Sequence, residues 1–183
     1  MKNENLQMGR KYAYDLSLTD IIKAKNRIKN IVRRTPLEYS SSLSRECGGE
    51  HWLKLENLQR TGSFKLRGAA NKVMSLSEEE RQRGLVCASA GNHAQAVAYM
   101  AKLSLPAVIV VPKGTPQAKI DGVARFGSEA VVFGDVYEEA QNYAYKVADE
   151  RGMTFVHAYL DPMTIAGQGT AALEVLLEEP DID

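Results

Sequence analysis

The chain has 183 residues, 44% of them apolar, and its 23 basic and 23 acidic residues leave a net charge of zero. That apolar share supports a packed core and excludes wholesale disorder, and the length suits one domain, or one and part of another. The even charge argues against a nucleic-acid binder or an anionic-membrane binder, both of which need a basic excess, and no apolar run approaches the ~20 residues of a membrane span. In chain order, the first 15 residues, MKNENLQMGRKYAYD, are polar and lack a signal-peptide core. Ser17 to Val32 predicts a helix, capped by Ser17 with Asp20 three residues on, and with Ile21, Ala24, Ile28 and Val32 on one face. Thr35-Pro36 ends it. Trp52–Leu55 is a short strand candidate. A helix opens near Lys65 and runs to Leu76, and Ser77 with Glu80 forms a capping box for a short helix stopped by Gly84.

From there the pattern is regular. Strands are predicted at Leu85–Ala88, Ala107–Val111, Ala130–Phe133 and Thr154–Val156. Helices are predicted at Asn92–Leu103, Gln117–Phe126, Tyr137–Glu150 and Met163–Leu177. The helix from Tyr137 places Val136, Ala140, Tyr143 and Val147 on one face. Strands without alternation, separated by helices, predict an α/β protein with parallel strands buried on both faces and right-handed crossovers. Ligands of such sheets gather at the carboxyl ends of the strands. Cys47 and Cys87 lie in unrelated contexts with no CxxC, which reads as a reduced, cytoplasmic protein. His51, His93 and His157 show no ligand spacing, so no metal site is expected.

Two stretches carry chemistry. In "LQRTGSFKLRGAANK", Lys65 falls in the opening turn of a helix, framed by Phe64 and Leu66. The helix dipole disfavours a cation there by ~0.3–1 kcal/mol, and apolar neighbours exclude water. Both effects favour the neutral amine, the form that forms a Schiff base. A snorkelling surface lysine is the competing reading. In "VCASAGNHAQAVA", a buried strand runs into Ser89-Ala90-Gly91-Asn92-His93 and straight into a helix. Small residues admit a ligand to the backbone, and free N–H groups at the helix start make an anion site for a carboxylate or phosphate. An ordinary strand-to-helix turn is the competing reading.

"SFKLRGA", then "SAGNHAQ", then "PMTIAGQGT", in this order and spacing, resemble the threonine dehydratase (threonine ammonia-lyase) family. These are pyridoxal-phosphate enzymes whose fold is shared with serine racemase and the tryptophan synthase β chain. The likeness runs from about Thr35 to Leu177. It implies that Lys65 carries the Schiff base with pyridoxal 5'-phosphate and that Phe64 packs beside the ring. Asn92 hydrogen-bonds the cofactor's 3-hydroxyl, and the loop Ser89, Ala90, Gly91, Asn92, His93 takes the substrate carboxylate. The implied reaction is α,β-elimination of threonine or serine to 2-oxobutanoate or pyruvate plus ammonia, in a cytoplasmic homo-oligomer of amino-acid metabolism such as isoleucine biosynthesis.

The resemblance also implies a three-layer, parallel-sheet fold of the tryptophan synthase β-chain type. Residues 1–83 are expected to begin the large cofactor domain, 84–161 to form a complete small domain, and 162–183 to start the large domain's second part. The family's glycine run for the cofactor phosphate, and the residue facing the pyridine nitrogen, are expected beyond Asp183. Gly167-Gln168-Gly169-Thr170 is no substitute: it lies within a helical stretch, where it allows close packing. The truncated chain is therefore expected to be incomplete for activity alone. Ile165, Leu173 and Leu176 are expected to form an apolar face that drives self-association. A serine racemase-like isomerase on the same site, and a non-catalytic split module that pairs with another chain, are the alternatives.

Overall fold

A computed structural model of the chain describes residues 16–103 and 105–182; the polar N-terminal segment lies outside them. Helix α1 (Leu18–Ile28) starts at the predicted capping box, with Ser17 and Asp20 bonded reciprocally. It buries Ala24 and Ile28. It ends four residues before the expected Val32; just beyond, the Arg33 N–H donates to Gln59 Oε1 at 2.8 Å and the Arg33 carbonyl accepts from Gln59 Nε2 at 2.9 Å. Strand β1 (Leu37–Tyr39) was not predicted. It pairs antiparallel with β2 (Trp52–Lys54), and helix α2 (Ser41–Cys47) lies between them. Helix α3 (Lys65–Ser75) carries the first motif. Helix α4 (Glu78–Arg83) has the predicted capping box of Ser77 and Glu80. Gly84 closes it at φ 99°, and a side chain there would meet the Pro106 carbonyl at 2.7 Å.

The remaining chain alternates: β3 (Leu85–Ala88), α5 (Asn92–Met100), β4 (Ala107–Val111), α6 (Gln117–Ala124), β5 (Glu129–Val132), α7 (Tyr137–Arg151), β6 (Thr154–Phe155) and α8 (Pro162–Glu178). The four strands form one parallel sheet in the order β5-β4-β3-β6. Strands β3 and β4 are buried at every position. Leu85, Cys87, Ile109 and Val111 face one core with Leu66 and Val73 of α3 and Val97 and Met100 of α5. Val86, Ala88, Val108 and Val110 face the other, with Ala140, Ala144 and Val147 of α7. The sheet thus has helices on both faces, the layered α/β arrangement expected of non-alternating strands. Val136, expected on the buried face of α7, is 51% exposed; Ala144 and Ala148 complete that face instead.

Helix α8 packs on α3 and α1. Gly167 makes this possible: a side chain there would run into the Arg67 carbonyl and come within 2.7 Å of the Gly68 Cα. The face of α8 that packs is Thr164, Ala166, Gly167, Thr170 and Glu174. The leucine face expected to be left open is not the face that packs. Leu176 is 50% exposed, and Ile165 and Leu173 are only half-buried. Close helix approach selects small residues over leucine, and a charged pair described below draws Glu174 inward.

Candidate active site

Phe64 precedes α3 without any side-chain cap, so Lys65 stands at the open, positive end of the helix. The lysine is half-buried. Its Nζ donates to the Ala158 carbonyl at 3.3 Å and lies 5.2 Å from the centre of the Phe64 ring. Burial holds the amine below the ordinary lysine range. No carboxylate contacts Nζ among the described residues; the neighbouring lysines differ, since Lys54 pairs with Glu174 at 2.9 Å and Lys72 with Asp161 at 2.7 Å.

The second motif meets the first across one open cavity of about 470 Å³. Lys65, Ser89, Asn92 and His93 line it, together with Ala88, Tyr137, Ala158 and Tyr159. Ala90, Gly91 and Phe64 are not in its lining. Phe64, which the sequence placed out of water, is 42% exposed. Helix α5 starts at Asn92 with Gly91 as its cap and no side-chain cap bond. The Gly91 N–H donates to Ser89 Oγ at 3.2 Å, and no atom lies within 4 Å of where a Gly91 side chain would begin. The N–H groups of the first turn of α5 therefore end at the cavity without an intrahelical acceptor, an arrangement suited to an anion.

His93 sits at the base of the cavity, 4% exposed. Its Nε2 lies 2.8 Å from the Val156 carbonyl, which only a protonated Nε2 can satisfy. Its Nδ1 is then a bare lone pair, buried without a partner. Burial pushes its pKa down to about 4, against a smaller upward pull from the Val156 carbonyl, so the ring is neutral at pH 7. Ser63 Oγ, two residues before Lys65, is also buried and unpartnered.

Sequence reasoning missed the far wall. Tyr137 opens α7, and Tyr159 follows β6 in a loop pinned by His157, whose Nδ1 accepts from the N–H groups of Tyr159 and Leu160 at 3.2 and 3.1 Å. The rule that ligands sit at strand carboxyl ends points to the segment after β6, and applying it there finds Ala158 and Tyr159. Also missed was the underside of α3. Arg67 is fully buried and bidentate to two carboxylates: Glu56 at 2.9 and 2.8 Å, and Glu174 at 2.8 Å twice. Burial alone opposes its charge, but those bonds outweigh it and hold the guanidinium ionised. Burial likewise opposes the Glu174 carboxylate, and Arg67 and Lys54 overcome it. A separate cavity of about 270 Å³ between Glu50, Trp52, Glu179, Asp181 and Ile182 collects carboxylates but no nucleophile.

Known proteins resemble the chain over most of its length. The chain is 49% identical over 169 residues to an L-threonine ammonia-lyase of Thermotoga maritima, covering 92% of this chain and 42% of that protein. It is 48% identical over 166 residues to the L-threonine dehydratase catabolic TdcB of Staphylococcus aureus, covering 90% of this chain and 48% of the relative. Among solved structures it resembles maize serine racemase, with a TM-score of 0.87 and 37% identity over 91% of this chain and 51% of that one. The chain spans about half the length of these proteins. The family model described as pyridoxal-phosphate dependent enzyme matches residues 28–183, so the chain belongs to the family of pyridoxal-phosphate dependent enzymes.

Proposed function

We propose that this chain supplies the catalytic lysine and the substrate-carboxylate site of a threonine dehydratase-type lyase, which eliminates the β-hydroxyl of threonine or serine to give a 2-oxo acid and ammonia. The observation that carries the reading is Lys65: a half-buried amine, held below the usual lysine range, in one cavity with the uncapped start of α5. The residues present fit pyridoxal phosphate. A neutral amine is the group its aldehyde requires, and His93, which lines the same cavity, has a buried Nδ1 left without a partner. Lys65 would hold the cofactor covalently, Asn92 would bond its 3-hydroxyl, and Phe64 would flank it. Pyridoxal phosphate, when bound, supplies the electron sink that makes the substrate α-proton acidic.

The chain's own residues do the rest. The N–H groups opening α5, with Ser89 through His93, bind the substrate carboxylate and orient the α-carbon. Lys65, freed as a neutral amine, takes the α-proton. The Ala158 carbonyl gives that amine a fixed acceptor. The names of the two sequence relatives favour elimination from threonine; the likeness to serine racemase favours isomerisation on the same site as the second reading. The proposal divides the chain into residues 1–83 and 162–183, which belong to a large cofactor domain, and 84–161, which form a small one. It includes cytoplasmic residence and a homo-oligomer. The metabolic direction it favours is the catabolic one named for the Staphylococcus relative rather than isoleucine biosynthesis. Adding pyridoxal phosphate to this chain, and L-threonine to a longer protein that carries these residues, tests the reading: a visible absorption band is expected from the first and 2-oxobutanoate from the second. Absence of the band at every cofactor concentration contradicts it, and D-serine from L-serine without 2-oxo acid favours the isomerase.

A further inference from the structure

Val156, the residue after β6, ties the two motifs of the site to one stretch of backbone. It is fully buried, and its N–H donates to the Val86 carbonyl of β3 at 2.8 Å. Its carbonyl accepts from Nε2 of His93, the second residue of α5, at 2.8 Å. Two residues on, the Ala158 carbonyl accepts from Lys65 Nζ at 3.3 Å. Residues 156–158, pinned to the sheet at one end, therefore receive the start of α5 and the start of α3 within two peptide units. The loop before α5 has few other ties. The Ser89 N–H donates to the Val110 carbonyl at 3.1 Å where the chain leaves the sheet. Ser89 Oγ then bonds within the loop, to the Gly91 N–H. Among the described residues, the imidazole makes the one side-chain hydrogen bond from Ser89–His93 to another element. A buried histidine can also be a plain core filler, but a ring of that shape without a donor would leave the Val156 carbonyl unpaired, and a buried unpaired acceptor is costly.

We infer that His93 is a positioning residue: its Nε2–H bond to the Val156 carbonyl sets the N–H groups that open α5 at a fixed distance from Lys65. This rests on the function proposed above, because that reading puts the amino acid's carboxylate on those N–H groups and its α-carbon beside the lysine. An amino acid spans both, so its affinity follows their spacing. The cofactor, held covalently at Lys65, depends on that spacing less.

The test separates the donor from the ring. His93→Phe keeps a ring and removes the donor, whereas His93→Gln keeps an N–H donor at similar reach. Pyridoxal phosphate is added to this chain, and L-threonine is titrated into a longer, cofactor-loaded protein that carries these residues, both followed by the visible band. His93→Phe should weaken threonine binding roughly 3- to 10-fold, the span of one neutral hydrogen bond, and His93→Gln should restore it to within about twofold, with cofactor affinity moving less than about twofold in either. Threonine binding undiminished in His93→Phe, or lost equally in His93→Gln with the band intact, overturns the inference and leaves the lyase reading standing. Nitrogen NMR of the unaltered chain reads the ring's tautomer and needs no variant: a hydrogen on Nε2 is expected, and one on Nδ1 overturns the inference. No band in the unaltered chain overturns the lyase reading and this inference with it.

Discussion

Lys65 and Arg67 lie two residues apart in the first turn of α3, where the helix field disfavours both charges, and the protein treats them in opposite ways. Arg67 points into the layer between α3, α8 and the segment before the helix. There it meets two carboxylates, Thr170 Oγ1 and the Arg33 carbonyl, so it is fully paired and stays charged. Lys65 points into the cavity, meets one carbonyl at 3.3 Å and no carboxylate among the described residues, and is driven toward the neutral form. Buried charge with every donor satisfied builds a frame. Buried charge without a partner builds reactivity. The same contrast recurs between the two glycine stretches: Gly167 is filled from outside by α3, whereas Gly91 faces open space.

The largest break in this comparison comes from Arg67→Met. It takes the guanidinium from Glu56 and leaves Glu174 with Lys54 alone in a buried site, and denaturant unfolding should show a loss of about 3–5 kcal/mol. Lys65→Met strands nothing and should leave stability within about 1 kcal/mol while removing cofactor attachment. Equal losses from the two variants would erase the distinction between frame and reactive group.

Acid should expose the next difference. His93 titrates near 4 in the folded chain against 6.5 ordinarily, so below pH 6.5 the unfolded state binds the extra proton. Stability is fully present above pH 6.5 and should fall by roughly 3 kcal/mol as pH drops to 4. Melting curves across that range should show the decline, and His93→Asn should flatten it. A smaller effect separates the two glycines. Gly167→Ala should cost about 1–3 kcal/mol by overpacking α8 on α3. Gly91→Ala should be neutral for stability within about 0.5 kcal/mol, yet weaken amino-acid binding more than cofactor binding. Unchanged threonine affinity in Gly91→Ala would remove the role proposed for the start of α5.

How far the sequence alone reached follows from the range of the interactions. Strands β3 and β4 were predicted with the ends they have, because a strand buried on both faces announces itself in an unbroken apolar run bounded by turn residues. Helix starts at Ser17 and Ser77 were legible because capping boxes are local. Lys65 was legible because its oddity is local too. Arg67 was not: its partners Glu56 and Glu174 lie 11 and 107 positions away, and nothing nearby signals a buried guanidinium. Strand β1 exists only through pairing with β2, and the packed face of α8 is set by α3 rather than by its own apolarity. Tyr137 and Tyr159 line the same cavity, and no motif in the sequence marks them.

Mapping the amine that reacts with pyridoxal phosphate tests the central claim most directly. The chain is incubated with the cofactor, reduced with borohydride, digested, and the pyridoxyl-bearing peptide is identified by mass spectrometry. The label should appear on Lys65, the lysine that lines the cavity and is half-buried without a carboxylate partner. A label on Lys54 or Lys72, whose amines pair with the carboxylates of Glu174 and Asp161, would contradict the account.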